Sequence, residues 1–290
     1  MRASDARSGL VVLLCGMPGL LGGFLAHGCT DAVTEQIRGS GPVIHEVREV
    51  ASISSVAFKT AGDLEIEVAD REELLIEGEA NLLDRIETEV VDGELVIRHR
   101  GNMAPIPTRP LRFHLKVRTL DGISFACDGK VSVPYLETDR LEIRHCGSGW
   151  IDVGVLRADL LVVHSSGSGP ISCERVDARR CRLFASGSGD TEIRLLEGLA
   201  SDVRLTGSGR ILIAEGSVVE QEVFVSGSGE LAAQGLASTE SEVMVSGCGR
   251  AEVHAETLLE ATITGSGDIR FRGHPRLHLT DTGSGRLQRI

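Results

Sequence analysis

Residues 163–193, VHSSGSGPISCERVDARRCRLFASGSGDTEI, contain the tripeptide Gly-Ser-Gly twice, beginning at Gly167 and at Gly187. The tripeptide, or the variant Gly-Cys-Gly, recurs through the second half of the chain at intervals of 20, 20, 20, 20, 20, 18 and 18 residues. So regular a period indicates a repeat architecture in which each repeat is one stacked unit. The paired glycines are Gly147 and Gly149, Gly167 and Gly169, Gly187 and Gly189, Gly207 and Gly209, Gly227 and Gly229, Gly247 and Gly249, Gly265 and Gly267, and Gly283 and Gly285.

Apolar and polar residues alternate on both sides of each tripeptide. Val243 lies four residues before Gly247, whereas Ala251 and Val253 follow the second glycine and are separated by Glu252. The equivalent positions are apolar in most other repeats. Alternation with a period of two predicts two short strands per repeat, each with one buried face.

The sequence therefore predicts an all-β fold, a stacked β-helix or β-solenoid with coils of about 20 residues that turn at Gly-Ser-Gly corners. Glycine suits such a corner because coils stack about 4.8 Å apart and leave no room for a Cβ atom. A positive φ is a second reason to expect glycine there. The intervening serines are expected to stack on one another along the solenoid. Leucine-rich repeats and propeller blades fit the period less well.

Residues 1–29 have the features of an export signal. Arg2 and Arg7 precede an apolar run over residues 10–25 that glycine and proline interrupt, which suits a secretory signal better than a membrane span. The run ends in Leu-Ala-His-Gly-Cys at Cys29, which resembles the lipobox of bacterial lipoproteins. That resemblance implies acylation of the cysteine and cleavage before it. Ordinary secretion with cleavage nearby and an uncleaved anchor are the alternatives.

Beyond the signal, we predict a polar tether over residues 30–48 and one β-solenoid domain over residues 49–290. Residues 126–290 contain the regular Gly-Ser-Gly repeats. Residues 49–125 also alternate, as in LEIEV at residues 64–68, but they lack the 20-residue period. We interpret them as divergent N-terminal coils that partly cap the solenoid.

Composition restricts the partners. The chain has 42 acidic and 30 basic residues and a formal net charge of −12, which would repel nucleic acid. Aromatic residues make up only 3%, few for a groove that stacks on sugars or bases. The seven cysteines are irregularly spaced without a C-x-x-C pair, so we expect most of those outside the signal to fill the interior. A disulfide between Cys127 and Cys146 is an alternative.

The motifs that carry chemistry have structural interpretations here. The corner serines lack the G-x-S-x-G spacing of a hydrolase nucleophile. Asp190 and Asp268 follow corners, but other residue types fill that position elsewhere, so turn carboxylates fit better than calcium ligands. His274 and His278 are four apart on an expected strand rather than a helix, which disfavours zinc. We expect no catalytic, cofactor-binding or metal-binding residues.

Three large apolar residues occupy one column that alternation places on the outside: Phe184, Phe224 and Met244. An apolar patch for a partner, or a surface beneath a packed loop, would explain them. The second explanation is favoured at this point.

Two segments and the corners together carry a family resemblance. The first segment is NLLDRIETEV at residues 81–90, which runs into DGELVI at 92–97, and the second is DIRFRGHP at 268–275. With the serial corners, these resemble the auto-transporter adhesin, head GIN domain family, formerly a domain of unknown function, over residues 50–290. The resemblance implies an exported β-solenoid with an adhesive or envelope role. Departures are Asp128-Gly129, a degenerate earlier corner, and Cys248 in place of serine.

The leading functional hypothesis is an exported, non-catalytic protein of the cell envelope, located in the outer membrane or periplasm, or secreted. It would be an adhesin or scaffold presenting a rigid surface to an unidentified macromolecule, with a lipid anchor at Cys29 as a means of membrane attachment. The alternatives are a carbohydrate-active or carbohydrate-binding β-helix protein and a periplasmic scaffold or signalling module. Outward Asp, Glu, Arg and His side chains should converge in one cleft in an enzyme and stay dispersed in an adhesin.

Overall fold

The computed structural model describes residues 35–101 and 103–290, and within them the chain is almost entirely β-structure. Strands account for 70% and helix for 2%. The predicted fold class is confirmed, since the coils stack into a β-solenoid of about 8 turns. The predicted signal over residues 1–29, with Cys29, lies outside the described residues, as do residues 30–34 of the predicted tether.

Short strands and one helical turn form the N-terminal part of the described chain. They are β1 (Glu35–Arg38), β2 (Val43–Arg48), β3 (Ser55–Lys59), β4 (Gly62–Val68), β5 (Glu73–Glu79), α1 (Ala80–Leu83), β6 (Ile86–Val91), β7 (Glu94–His99), β8 (Met103–Ile106), β9 (Arg112–Val117) and β10 (Gly122–Phe125). Strands β7, β3 and β10 stack in parallel on one side, and β9 and β4 do so on another. Antiparallel strands then cover this end, with β6 on β7 and β5 on β9.

Residues 35–48 differ from the predicted tether, because they form strands. Strand β1 pairs with β8 and β2 pairs antiparallel with β5. Arg48 fixes β2 by donating hydrogen bonds to the carbonyl oxygens of Ile86 at 2.8 Å and Leu83 at 3.2 Å. The side chains of β2 are mostly exposed on both faces, so the strand lacks the alternation by which a sequence reveals a strand.

Seven long strands form the regular part, followed by a last coil of shorter strands. They are β11 (Gly129–His145), β12 (Trp150–Ser165), β13 (Ile171–Ala185), β14 (Thr191–Leu205), β15 (Arg210–Val225), β16 (Glu230–Val245), β17 (Arg250–Ile263), β18 (Asp268–Arg272), β19 (Arg276–Asp281) and β20 (Leu287–Arg289). The sequence predicted two short strands per repeat. In the structure they join into one bent strand of 14 to 17 residues.

The bends divide each coil into three faces. Along β13 the alternation of inward and outward side chains changes phase twice, at Glu174-Arg175 and at Arg179-Arg180, where two successive residues are exposed. The strand between a corner and the first bend carries the post-corner face, and the segment between the bends carries the middle face. The segment before the next corner carries the pre-corner face, whose outward residues in β13 are Arg180, Arg182 and Phe184.

Parallel pairing with a constant offset holds the coils in register. Ile151 pairs with Ile171, and Ile171 pairs with Thr191, each 20 residues further on. Between β16 and β17 the register shifts twice within the middle of the coil, after which Val243 pairs with Ala261. This irregularity removes two residues away from the corner, so the corners remain aligned although their spacing falls to 18.

The interior is filled by columns of inward side chains, one from each coil. One such column is at most 2% exposed throughout and consists of Ile143, Val163, Leu183, Val203, Val223, Val243 and Ala261. Cys173 and Cys181 are also buried, and burial raises the pKa of the Cys173 thiol to about 12, so this thiol stays protonated. Cys127 is partly buried and packs against the core, as expected for most of the cysteines, whereas Cys146 and Cys248 lie exposed at corners.

An aromatic stack occupies the last inward column before the corner. The ring centroids of Phe58 and Phe125 are 6.0 Å apart, and those of Phe125 and His145 are 5.5 Å apart with the rings nearly parallel. His145 is 1% exposed, and burial lowers the pKa of its imidazole. The fold therefore holds His145 as a neutral ring that continues the stack.

Acidification should destabilise the protein through His145. Its folded pKa lies below the unfolded value of about 6.5, so protonation favours the unfolded chain. The stability that depends on the neutral ring is complete above about pH 6.5 and is lost as the pH falls toward the lowered pKa. We expect the melting temperature to fall less between about pH 7.5 and 5 in His145→Leu than in the unmodified protein.

His99 and His164 retain part of the pH dependence in that variant, because burial lowers the pKa of each. The control is His45→Leu, at a side chain that is 63% exposed, and it should keep the full dependence. An undiminished pH dependence in His145→Leu would contradict this account.

Candidate functional site

All sixteen predicted corner glycines lie in two columns along one edge of the solenoid. At each of them a Cβ atom would lie under 3.0 Å from a backbone carbonyl oxygen of the preceding coil. None of the sixteen has φ in the left-handed region. Close approach of the coils is therefore the reason for glycine, and the positive φ that the sequence led us to consider does not occur at these positions.

The column of glycines extends further toward the N-terminus than the regular tripeptides do. Gly129 pairs with Gly62, and a Cβ atom at Gly149 would meet the carbonyl oxygen of Gly129. Asp128-Gly129 thus occupies the place of an earlier corner, with only its second glycine kept. The requirement for close approach persists where the tripeptide has been lost.

Backbone hydrogen bonds cross the corners from coil to coil. The amide of Ser168 donates to the carbonyl oxygen of Gly147 at 3.1 Å, and that of Ser188 donates to Gly167 at 3.2 Å. The corner serines are exposed, and within the described chain no hydrogen bond joins two corner hydroxyls. Stacking of the serines therefore leaves a shallow groove of about 820 Å³ over residues 126–208, lined by small side chains.

Aspartates that follow a corner serve the next coil. Oδ1 of Asp190 accepts a hydrogen bond from the backbone N–H of Arg210 at 2.9 Å, and Oδ1 of Asp268 accepts one from Arg286 at 3.1 Å. Asp63 does the same for Lys130 at 3.1 Å. These carboxylates have a structural role that the sequence did not reveal, because it depends on a partner one coil away.

His274 and His278, the two histidines considered as zinc ligands, have other side chains as neighbours. Nε2 of His274 contacts the guanidinium of Arg289, and Nδ1 of His278 lies 3.7 Å from a carboxylate oxygen of Glu260. Over residues 35–101 and 103–290, no group of three or more His, Cys, Asp or Glu side chains is arranged to hold a metal ion.

Charged side chains pair with neighbours over the whole length of the solenoid. Examples at 2.6 to 3.2 Å are Arg194 with Glu174, Lys130 with Asp152, and Arg270 with Glu252. The exposed aromatic residues are also separated, since Trp150 pairs with Lys130 in one column and Tyr135 pairs with Val155 in another. In the described chain these aromatic residues lie away from the concavity among residues 180–260, where several carboxylates gather, whereas a sugar-cleaving groove would require both together.

The pre-corner face is the most distinctive surface. Phe184, Phe224 and Met244 stay partly exposed on it, and the ring of Phe184 stacks on that of His164 at 4.9 Å. Strand pairing places Arg204 between the two phenylalanines. The structure thus shows the apolar patch that the sequence considered, rather than the favoured surface beneath a loop.

Charge is divided along the same face. Its first coils carry four arginines against one glutamate, and its later coils carry five glutamates without a basic residue up to β17. These residues are Arg140, Glu142, Arg144, Arg180 and Arg182 in the first group, and Glu220, Glu222, Glu240, Glu242 and Glu260 in the second. Asp202 and Arg204 lie between the groups and pair with each other at 3.3 Å. Aligning the outward residues of successive repeats at the 20-residue period would have revealed this division of charge from the sequence.

No helix in the described part of the chain has both the length and the apolar character needed to cross a membrane.

The fold defines a parallel β-solenoid built on glycine corners. The family model described as "Putative auto-transporter adhesin, head GIN domain" matches residues 53–211 and again 155–275. The chain belongs to this family. No curated protein matches it.

Solved structures share the fold. A "putative adhesin" from Parabacteroides distasonis superposes with a TM-score of 0.67 at 21% identity, covering 88% of this chain and 100% of that one. A "Putative lipid binding protein" from the same species gives 0.69 at 23% identity with the same coverage. A "putative adhesin" from Parabacteroides merdae gives 0.66 at 19% identity, covering 88% and 99%. At these identities the likeness extends to the fold alone.

One methyl group at a corner should destabilise the solenoid. In Gly207→Ala the new Cβ would contact the carbonyl oxygen of Gly187, so the two coils must separate and weaken the hydrogen bonds between them. We expect a loss of at least about 2 kcal/mol, measured by chemical denaturation. The matched control is Ser208→Ala, at the exposed neighbour, which should change stability by less than about 0.5 kcal/mol. Equal stability of the two variants would show that the corner is not limited by close approach.

Proposed function

We propose that this chain is an exported, non-catalytic protein of the cell envelope whose rigid solenoid serves as an adhesive or interaction scaffold. The observation that supports this most is that no surface of the described chain combines clustered carboxylates with exposed aromatic residues. Ion pairs are spread along the post-corner and middle faces, and the concavity on the pre-corner face that holds Glu220, Glu222 and Glu240 has no aromatic side chain in its lining. A groove that cleaves sugars would need aromatic platforms beside its carboxylates, and Tyr135 and Trp150 lie elsewhere on the solenoid.

The mechanics of the fold suit such a role. Each long strand is hydrogen-bonded to a strand before it and a strand after it, and the corners add further backbone bonds. A surface held in this way presents its side chains at a fixed repeat of about 4.8 Å without an ordering cost on binding. Membership of an adhesin family agrees with this use.

Adhesion can be tested directly. Beads coated with the purified protein should retain intact cells or envelope polysaccharide above the level of albumin-coated beads. Mass spectrometry of the polysaccharide after incubation should find it unchanged. Cleaved glycan would contradict the non-catalytic part of the proposal, and retention no higher than on albumin would contradict the adhesive part.

Attachment through Cys29 can be tested separately. In bacteria grown with radiolabelled palmitate, the full chain should be labelled and should fractionate with membranes. Cys29→Ala should lose both properties, because the thiol that would carry the lipid is absent. The matched control is Cys248→Ala, at an exposed corner cysteine, which should be labelled like the unmodified chain. Label retained in Cys29→Ala would exclude this anchor.

A further inference from the structure

We propose that the pre-corner face is a self-association surface on which two copies of this chain pack face to face with their solenoid axes antiparallel. The partner is a second copy because the charge division on this face is complementary to itself. Turning one copy end over end places its Glu220 and Glu222 opposite Arg180 and Arg182 of the other.

The two-fold axis is fixed by the positions of the charged residues. Strand pairing places Arg180 one coil before Ala200 and Glu220 one coil after it, in one column. In the next column Arg182 and Glu222 flank Asp202 in the same way. A two-fold axis along β14 therefore brings both arginines of each copy opposite the two glutamates of the other.

The charges involved lack full compensation within one copy. Among the described residues, Arg180, Arg182 and Glu220 have no ion-pair partner within 4.0 Å, and Glu222 reaches Arg204 only at 3.8 Å. In the acidic coils Glu220 lies beside Glu240 and Glu222 beside Glu242, and like charges in one column repel one another because the coils are about 4.8 Å apart. A second copy would relieve that repulsion by placing arginines opposite Glu220 and Glu222.

The apolar side chains of the face obey the same symmetry. Phe184 and Phe224 lie one coil before and one coil after Arg204, so each would face the other residue of the partner copy. His164 and Met244 lie two coils from the axis in the same column and would also meet. An apolar row beside two charged columns is the composition expected of an interface with an anchoring contact.

The face is large enough for a specific dimer. Six residues of strand span roughly 20 Å, and the seven coils from β11 to β17 that overlap about this axis cover roughly 34 Å. The resulting area is roughly 700 Å². Each partner buries about 800 Å² in an interface of standard size, so the two areas are similar. The face is not flat, because residues between 180 and 260 line a shallow concavity of about 320 Å³.

The decisive experiment exchanges the charges. Sedimentation equilibrium of the full chain in low salt should show a dimer, and Arg180→Glu/Arg182→Glu and Glu220→Arg/Glu222→Arg should each be monomeric. In the first variant glutamate faces glutamate across the axis, and in the second arginine faces arginine. Mixing the two variants should restore the dimer, because positions 180 and 182 of each variant then face opposite charges at positions 220 and 222 of the other.

The matched control is Arg210→Glu/Arg286→Glu, which makes the same change of charge on the post-corner face. It should dimerise like the unmodified chain. Circular dichroism and melting curves show whether each variant is folded, and salt should weaken the dimer because these contacts are solvent-accessible. A monomeric unmodified chain, or folded variants that dimerise when each is alone, would overturn the proposal. So would a mixture of the two variants that stays monomeric.

Discussion

The distance between one coil and the next governs this molecule. Parallel strands must lie about 4.8 Å apart to share hydrogen bonds, and at the corner this spacing holds where the chain turns most sharply. The carbonyl oxygen of Gly187 occupies the space in which a side chain of residue 207 would lie. The period of the sequence, the flatness of the three faces and the dry interior all depend on that approach, because a wider corner would separate the strands on either side of it.

The regular coils could be predicted from sequence because their determinants are local. Alternation around Val243 and Ala251 assigns inward and outward positions, and the spacing of the glycines assigns the register. Two short strands and one bent strand produce nearly the same alternation of apolar and polar residues. They differ only where the alternation changes phase, as at Arg179 and Arg180, and such a change can be recognised only once the strand is known to be continuous. The N-terminal strands were harder, since β2 is held by Arg48 through partners 35 and 38 residues away.

The features of the candidate surface were also difficult to predict from local sequence. The outward position of Phe184 followed from alternation, but its significance depends on neighbours 20 residues away in either direction. The role of Asp190 depends likewise on the amide of Arg210 in the next coil. His145 was hidden for a different reason, because a buried histidine becomes intelligible only beside the rings of Phe58 and Phe125. In a solenoid the informative neighbour is one period away, so the sequence must be aligned to itself before its surface can be interpreted.

The order of the N-terminal strands has a consequence for how the chain assembles. The coil containing β3 and β4 lies between the strands β7 and β9 on one side and the strands β10 and β11 on the other. The spatial order of the coils therefore differs from their order along the chain. Residues 55–68 form an inner layer whose hydrogen bonds are complete only when residues 94–117 cover one side and residues 122–132 cover the other.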